Sequence, residues 1–503
     1  MNTTSTDDTI TEGGLLGPMF KLAWPIVVIQ LLQVTYNIAD TFWLGRLSAD
    51  AVGALSLAFP LIFLLISIAG GFTTAGSILV AQYTGADSEG SAGKVAGQIL
   101  TFVTLLAVAL GALGYVATDS MLELLPSQGA TTDQIIPLAG QYMEVFFLGL
   151  PFLFGFFVFT SLMRGYGDTR TPMRVMVVSV AMNVVLDPLL IFGVGPVPAL
   201  GIETEILSGM GIEGAALATI LSRGVASVLG FYVLFVARVG PDVQTRYLVP
   251  DLSYIWDIVR IGVPSTLEQS MSALAMITLT AMVVQFAPPV VSAYGLGNRL
   301  ASLVFLPAMG LGRATNTMVG QNLGAGKSDR AERAAWIAAK VGAAVMFGVA
   351  VIAALFPEPI VSVFMATGTD AARETVRHGA EYLRIRSVEF TFMAILQVML
   401  GAYRGAGNTK TAMAFSAVAL WVGRVPTVYY LAFVADMGAT GIWVGMALGN
   451  VLGAVAAALW FTRGTWKATV IDEDETPESD RAPPPGAEPE VSETGPTGPS
   501  DGK

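Results

Sequence analysis

Three polar residues that can bind protons or cations stand inside apolar stretches of this chain. Asp40 lies in the first apolar stretch, and Asn183 and Asp187 lie in a later one, four residues apart and therefore on one face of a helix. An ionisable side chain in an apolar span costs about 2.5–3.5 kcal/mol on insertion scales and marks a functional site by default. Two carboxylates that meet in a low dielectric would share a proton, or hold a cation such as Na⁺ together with amide and hydroxyl oxygens. These residues therefore predict proton or Na⁺ binding.

Further polar residues accompany these three. At 100° per residue, Gln33 and Asn37 fall on the same helical arc as Asp40. Tyr36 and Thr219 are candidates for the border of the acidic site, although a tyrosine in an apolar helix more often packs in a core. Glu268 follows Pro264 by four residues, near the start of a later helix. It would either line a cavity as a further acid or face water at the membrane surface.

The composition indicates a membrane environment and excludes several kinds of chemistry. Only 13% of the 503 residues are charged, against about 25% in soluble domains, and 53% are hydrophobic. The chain has no cysteine and one histidine, which excludes disulfides, thiolate chemistry and a histidine-rich metal centre. A net charge of −11 argues against a nucleic-acid partner. We therefore expect a membrane protein without a resident cofactor.

Twelve apolar runs are long enough to cross a bilayer, which takes about 20 residues in a helix. Their approximate limits are 20–44, 52–81, 94–117, 137–163, 172–193, 212–237, 255–286, 290–320, 332–356, 376–402, 411–435 and 441–463. The pattern predicts an all-α polytopic membrane protein with an N-terminal tail at 1–17 and a disordered acidic tail at 466–503. Basic residues gather in the loops after the even-numbered spans, so we expect both termini to be cytoplasmic.

An internal repeat divides the chain into two halves. A displacement of 239 residues places 25–86 over 264–325 without a gap, and a displacement of 240 places 164–171 over 404–411. Each copy holds six spans, so both copies enter the membrane in the same sense. This predicts two pseudo-symmetric six-helix bundles related by an axis along the membrane normal, a parallel repeat. The predicted lobes are 18–240 and 241–465.

The two halves differ in their acidic residues. The repeat places Leu279 opposite Asp40, and Gly423 and Thr427 opposite Asn183 and Asp187. Duplicated halves share their scaffolding, so polar residues present in only one half are the better functional candidates. We therefore expect the ion-binding chemistry in the N-terminal lobe.

The chain resembles the multidrug and toxic compound extrusion (MATE) family over about residues 18–465. The resemblance rests on the twelve spans in two halves, on Arg-Gly-Tyr-Gly-Asp-Thr-Arg-Thr-Pro at 164–172, and on Asn183-x-x-x-Asp187-Pro188 in the fifth span. An acid in the first span, with no equivalent in the second lobe, resembles the DinF branch.

The resemblance implies efflux of cationic or amphipathic organic compounds in exchange for H⁺ or Na⁺. It implies Asp40, Asn183 and Asp187 as the coupling residues, with Tyr36 and Thr219 bordering their site. We therefore expect a secondary antiporter of the plasma membrane that works by alternating access, as a monomer, on small organic molecules.

Three other classes of function stay open at this point. A lipid-linked oligosaccharide flippase of the same superfamily would need an arginine-lined cavity for pyrophosphate. A membrane enzyme would have only a two-aspartate protease arrangement available, so we expect no enzymatic activity. A passive channel would conduct without any dependence on a counter-ion.

Overall fold

The computed structural model describes residues 10–123, 130–195, 207–365 and 369–471. Within these ranges the apolar runs form helices that we number α1 to α12 in the order of the predicted spans. They are α1 Leu16–Leu47, α2 Ala49–Gly85, α3 Glu89–Glu123, α4 in two segments (Ala130–Leu148 and Leu150–Tyr166), α5 Arg170–Phe192, α6 Gly211–Phe231, α7 Leu252–Val283, α8 Pro288–Gly324, α9 Ser328–Leu355, α10 Asp370–Gly405, α11 Thr409–Ala417 and α12 Gly438–Phe461.

Smaller elements complete these helices. Helix α6 continues through the π-helical turn Tyr232–Val236, and α11 continues through π-helical and α-helical turns to Val434. A short antiparallel ribbon, β1 Gly193–Val194 with β2 Leu207–Ser208, follows α5. A short helix, Pro357–Ser362, follows α9. The two segments of α4 meet at Gly149 with a bend of 54°.

Apolar surface on the outside of the helices fits a bilayer. Nine of the described helices are long and apolar enough to cross a membrane, or ten when bent α4 is counted as one span. Val116 of α3 and Leu459 of α12 are 82% and 66% exposed. Such a surface needs lipid around it.

Helices α7 and α8 are not among these apolar helices, and both carry polar side chains that contact the N-terminal lobe. Thr266 and Gln269 of α7 lie against Gly71 and Gly70 of α2. With these two helices included, the prediction of twelve helices in two six-helix lobes is confirmed.

The repeat is visible in matched details of the two lobes. Gly211 and Gly438, at the starts of α6 and α12, have φ values of 56° and 58°, a left-handed conformation that glycine adopts without strain. Three residues later, Gly214 packs on the carbonyl of Leu190 in α5, and Gly441 packs on the carbonyl of Leu431 in the extension of α11. The same backbone crossing is therefore built twice.

Two glutamines join the lobes in a reciprocal manner. Gln82, at the end of α2, donates a hydrogen bond of 3.0 Å to the carbonyl of Gly405 in the other lobe. Gln321, at the end of α8, donates one of 3.0 Å to the carbonyl of Gly165. Both contacts lie on the face of the molecule where the described chain begins and ends, near Ile10 and Val470, which we call the terminal face. Among the described residues, hydrogen bonds between lobes occur in the halves of the helices nearer this face.

The first and last described segments, near Ile10 and at residues 466–471, also pack on the terminal face. Ile10 is buried, and its carbonyl accepts from Asn322 of α8. Trp466 is fully buried, and the backbone N–H of Val470 donates to Gln82 at 3.0 Å. The predicted boundary of the acidic tail at 466 is therefore too early, because residues 466–471 pack against the fold. Residues 1–9 and 472–503 lie outside the described residues.

Candidate functional site

The predicted acidic residues meet in the N-terminal lobe. Asp40 of α1 faces Asn183 and Asp187 of α5 and Thr219 of α6. Tyr36, one turn before Asp40, lies beside the same group. All five side chains are buried, and Asn183 and Asp187 are completely enclosed. Three helices that are separated in sequence thus bring the predicted coupling residues and their predicted border together.

The oxygens of this cluster have few partners. Asn183 Nδ2 donates to Asp187 Oδ1 at 3.0 Å. Five other buried oxygens have no hydrogen-bond partner of good geometry among the described residues: Tyr36 Oη, Asp40 Oδ1, Asn183 Oδ1, Asp187 Oδ2 and Thr219 Oγ1. Buried polar groups are normally satisfied, and leaving one unsatisfied costs about 1–3 kcal/mol. A proton shared by the carboxyls, or a cation held by the oxygens, would supply the missing interactions.

The local sequence of α5 explains how the cluster is held. Asn183 and Asp187 lie one turn apart on the buried face, while Val184 and Val185 point outward and are exposed. Pro188 has no backbone N–H, so the carbonyl of Val184 loses its partner in the helix. The backbone next to the cluster is therefore held by fewer hydrogen bonds than a regular helix.

Arg223 of α6 is a member of the site that the sequence analysis missed. It is 2% exposed and lies one turn after Thr219, on the same helix face. Its guanidinium lies 4.6 Å from the ring centroid of Tyr36 and donates to Gln33 Oε1 at 2.6 Å. The signal available in the sequence was an arginine inside an apolar span, because such residues face the interior of a bundle.

The remaining candidates lie apart from the carboxyl oxygens. Gln33 belongs to the group around Arg223, and its Nε2 donates to Asn37 Oδ1 at 3.1 Å. The side chain of Asn37 is exposed. Glu268 of α7 is buried in the C-terminal lobe, where Arg404 of α10 donates to both its carboxylate oxygens, at 2.5 and 3.2 Å. Glu268 thus lies in an ion pair and not at a helix end facing water.

The C-terminal lobe contains a buried acid of a different kind. Glu389 of α10 is completely buried and accepts from Arg386. Its other oxygen accepts from Asn450 at 3.2 Å, and Arg424 lies 3.8 Å away. This carboxylate is surrounded by cationic and amide donors. By contrast, Asp40 and Asp187 of the N-terminal lobe each keep a buried oxygen without such a donor.

Comparisons with known proteins agree with this architecture. The family description MatE matches residues 25–189 and 264–430, one match in each lobe. The probable multidrug resistance protein YpnP of Bacillus subtilis (strain 168) is 28% identical over 459 residues, which cover 91% of this chain and 97% of that protein. The probable multidrug resistance protein YoeA of the same organism is 30% identical over 430 residues, covering 84% and 88%.

A solved structure shares the whole fold. It is described as the outward-facing conformation of a multidrug resistance MATE family transporter of the MOP superfamily. It superposes with a TM-score of 0.82 at 25% identity, covering 93% of this chain and 100% of that one.

The match to the MatE family description in each lobe and the shared fold of a MATE family transporter show that the chain is a membrane transporter and not an enzyme. The matches to both halves show that the chain belongs to the MatE family. The predicted resemblance to MATE transporters is therefore confirmed, while the assignment to the DinF branch stays a prediction.

Proposed function

We propose that this protein is a multidrug efflux antiporter of the plasma membrane that exports cationic or amphipathic organic compounds in exchange for H⁺ or Na⁺. The observation that carries the proposal is the cluster of Asp40, Asn183 and Asp187, whose buried oxygens have unused capacity for a proton or cation. The names of the relatives, which are multidrug resistance proteins, support the efflux role. The protein acts as a monomer, with both termini in the cytoplasm.

The cluster couples ion binding to the shape of the N-terminal lobe. A proton or Na⁺ bound between Asp40 and Asp187 removes their mutual repulsion and lets α1 and α5 pack closely there. When the ion leaves, the two carboxylates repel each other. Because Pro188 interrupts the backbone hydrogen bonds of α5 beside the cluster, α5 can bend at this point. We place the terminal face in the cytoplasm. The conformation in which this face is closed is therefore the outward-open one.

Ion binding must favour one conformation by a definite amount. Moving a two-state equilibrium from 1:99 to 99:1 takes a differential affinity of about 10⁴, or about 5.5 kcal/mol. Buried carboxylates can supply this energy, since each tenfold difference in proton affinity between two states contributes about 1.4 kcal/mol. A single proton or cation would therefore supply this energy if its affinity for the cluster differs about 10⁴-fold between the two conformations.

The test is dye extrusion from proteoliposomes loaded with the cationic dye ethidium. A pH gradient is imposed alone, and then a Na⁺ gradient alone, so that the coupling ion is identified. We expect Asp40→Asn and Asp187→Asn each to abolish gradient-driven extrusion without loss of expression. The matched control is Asp119→Asn, an exposed acid on α3, which should transport like the wild type. Undiminished extrusion by both cluster variants would overturn the proposal.

The flippase alternative is less well supported. It requires a cavity dominated by arginines, whereas the cluster in α1, α5 and α6 contains two acids and one arginine. Movement of a lipid-linked oligosaccharide by the same proteoliposomes, with no ethidium transport, would favour the flippase instead.

A further inference from the structure

Arg223 is held close to the acidic cluster without bonding to it. Its Nη2 donates to Gln33 Oε1 at 2.6 Å, and its Nη1 lies 3.1 Å from the sulfur of Met176. The guanidinium stacks on Tyr36 at 4.6 Å and on Phe156 at 5.3 Å from the ring centroids. All four of these partners are uncharged.

The charge of Arg223 must be balanced by the acids beside it. Guanidinium stays protonated in proteins, and a buried charge without a counter-charge is strongly unfavourable. Asp40 interacts electrostatically with Arg223 and is in contact with Asp187. The other groups that face Asp40 are Tyr36, Tyr142, Asn183 and Thr219. Phenols, amides and hydroxyls are neutral near pH 7. Among the residues that the structure describes, the fixed charges at this place are therefore two carboxylates and one guanidinium.

We infer that Arg223 is the internal counter-ion of the acidic cluster and limits the coupling stoichiometry to one cation for each transport cycle. The inference rests on the proposed function of the same cluster. With both carboxylates ionised the site has a net charge of −1, so one H⁺ or one Na⁺ neutralises it. Because Arg223 forms no hydrogen bond to either carboxylate in the structure, their oxygens stay available to that ion.

The position of Arg223 is specific to this lobe. The matching starts of α6 and α12, Gly211-x-x-Gly214 and Gly438-x-x-Gly441, place Asn450 opposite Arg223. Asn450 donates to Glu389 in the satisfied cluster of the C-terminal lobe. The repeat therefore carries a neutral donor in one lobe and a fixed cation in the other, where the acids with unpartnered oxygens are found.

The stoichiometry can be measured from the dye gradient at which transport reverses. With a tenfold cation gradient and the membrane potential clamped at zero, ethidium flux should reverse at about a tenfold dye gradient for one cation and about a hundredfold gradient for two. We expect about tenfold for the wild type and for Arg223→Lys, and about a hundredfold for Arg223→Met. The matched control is Arg424→Met, which removes a buried arginine beside Glu389 and should keep the tenfold value.

A charge-balanced pair keeps the test decisive if Arg223→Met alone fails to fold. Asp187→Asn leaves one carboxylate and Arg223, a neutral site that should lose ion-driven transport. Arg223→Met combined with Asp187→Asn restores a net charge of −1 and should recover ion-driven transport with a reversal near tenfold. Wild-type reversal near a hundredfold, an unchanged value in Arg223→Met, or a double variant as inactive as Asp187→Asn would overturn the inference. A wild type that shows no ion-driven ethidium transport would instead contradict the proposed function.

Discussion

Buried acids in this protein differ in whether their oxygens are already used. Glu268 and Glu389 each accept from arginines, and Glu389 also accepts from Asn450. Asp40 and Asp187 keep oxygens without partners, although they are just as deeply buried. A carboxylate that is already paired has little to gain from a proton or a Na⁺, while an unpaired one has much to gain. The difference in partners, more than the presence of an acid, separates an ion site from an ion pair.

The pairing of Glu268 can be tested by removing one partner. Glu268→Gln leaves Arg404 without its counter-charge, and breaking a buried pair in this way costs about 3–5 kcal/mol. We expect a lower Tm in detergent, because this is a loss of stability and not of coupling. Ethidium extrusion per folded molecule should keep its dependence on the cation gradient.

The double variant Glu268→Gln with Arg404→Met is the control for this prediction. It removes both charges, so its Tm should lie closer to the wild type than that of Glu268→Gln alone. If Glu268→Gln kept its Tm and lost its cation dependence, Glu268 would belong to the coupling site.

The sequence predicts which residues are functional better than it predicts which side chains they contact. Asp40, Asn183 and Asp187 could be chosen because each is a polar residue in an apolar run that the second half lacks. The partner of Glu268 could not, since Arg404 is 136 residues away and the contact depends on how α7 packs on α10. Arg223 was missed for a related reason, since its relation to Asp40 exists only once α6 lies against α1.

Helices of this protein are longer and less regular than their apolar runs. The tenth run was predicted at 376–402, and the helix spans Asp370–Gly405 because polar turns extend it beyond the membrane thickness. The π-helical turns of α11, such as Val418–Arg424, leave no mark in hydropathy. Such turns occur often at functional sites. Periodicity thus gives the existence and order of the helices, while tertiary contacts set their ends and irregularities.

The backbones of α2 and α8 are in close contact at Gly85, and a substitution there tests this contact. A Cβ on Gly85 would lie 2.0 Å from the carbonyl oxygen of Gln321, a separation that backbone atoms cannot accept. We expect Gly85→Val to prevent closure of the terminal face and to abolish transport. Gly90→Val on the neighbouring α3 is the matched control, because a Cβ there meets nothing within 4 Å.

Closure of the terminal face can be measured by the accessibility of a single introduced cysteine to a maleimide. The chain has no cysteine of its own, so Thr317→Cys in the lobe junction is a unique label site. Thr317 is completely buried and donates to the carbonyl of Arg164 at 3.0 Å. Labelling by a membrane-impermeant maleimide in detergent should rise in the Gly85→Val background and stay low with Gly90→Val. Equal protection in both backgrounds would show that Gly85 does not control the junction.

The whole molecule combines a symmetric frame with an asymmetric site. Gln82 and Gln321 join the lobes through equivalent bonds, and the crossings of α5 with α6 and of α11 with α12 use the same glycine positions. The duplication was readable in sequence because both copies keep a nearly constant offset. The contacts of the segments before and after the repeat could not be predicted from the sequence, because these segments have no second copy for comparison.

The C-terminal segment 466–471 links both lobes on the terminal face. Trp466 stacks on Phe461 with ring centroids 4.4 Å apart, and Lys467 pairs with Glu332 at 2.7 Å. These contacts fix the segment to the C-terminal lobe, from which the N–H of Val470 reaches Gln82 of the other lobe. Hydrogen bonds to both Glu332 and Asp329 raise the pKa of Lys467, so the ion pairs persist across the physiological range.

Truncation after Thr465 should therefore lower the Tm and raise maleimide labelling of Thr317→Cys, because Gln82 loses a partner and the terminal face loses a link between the lobes. Truncation after Ile471 removes only the acidic, proline-rich remainder, and we expect wild-type Tm, labelling and ethidium extrusion. The two truncations differ by residues 466–471 alone, so they assign any effect to that segment. If the protein truncated after Thr465 behaves like the wild type, closure of the terminal face depends on the helices and not on the segment. If the protein truncated after Ile471 loses transport, the acidic remainder has a role in transport.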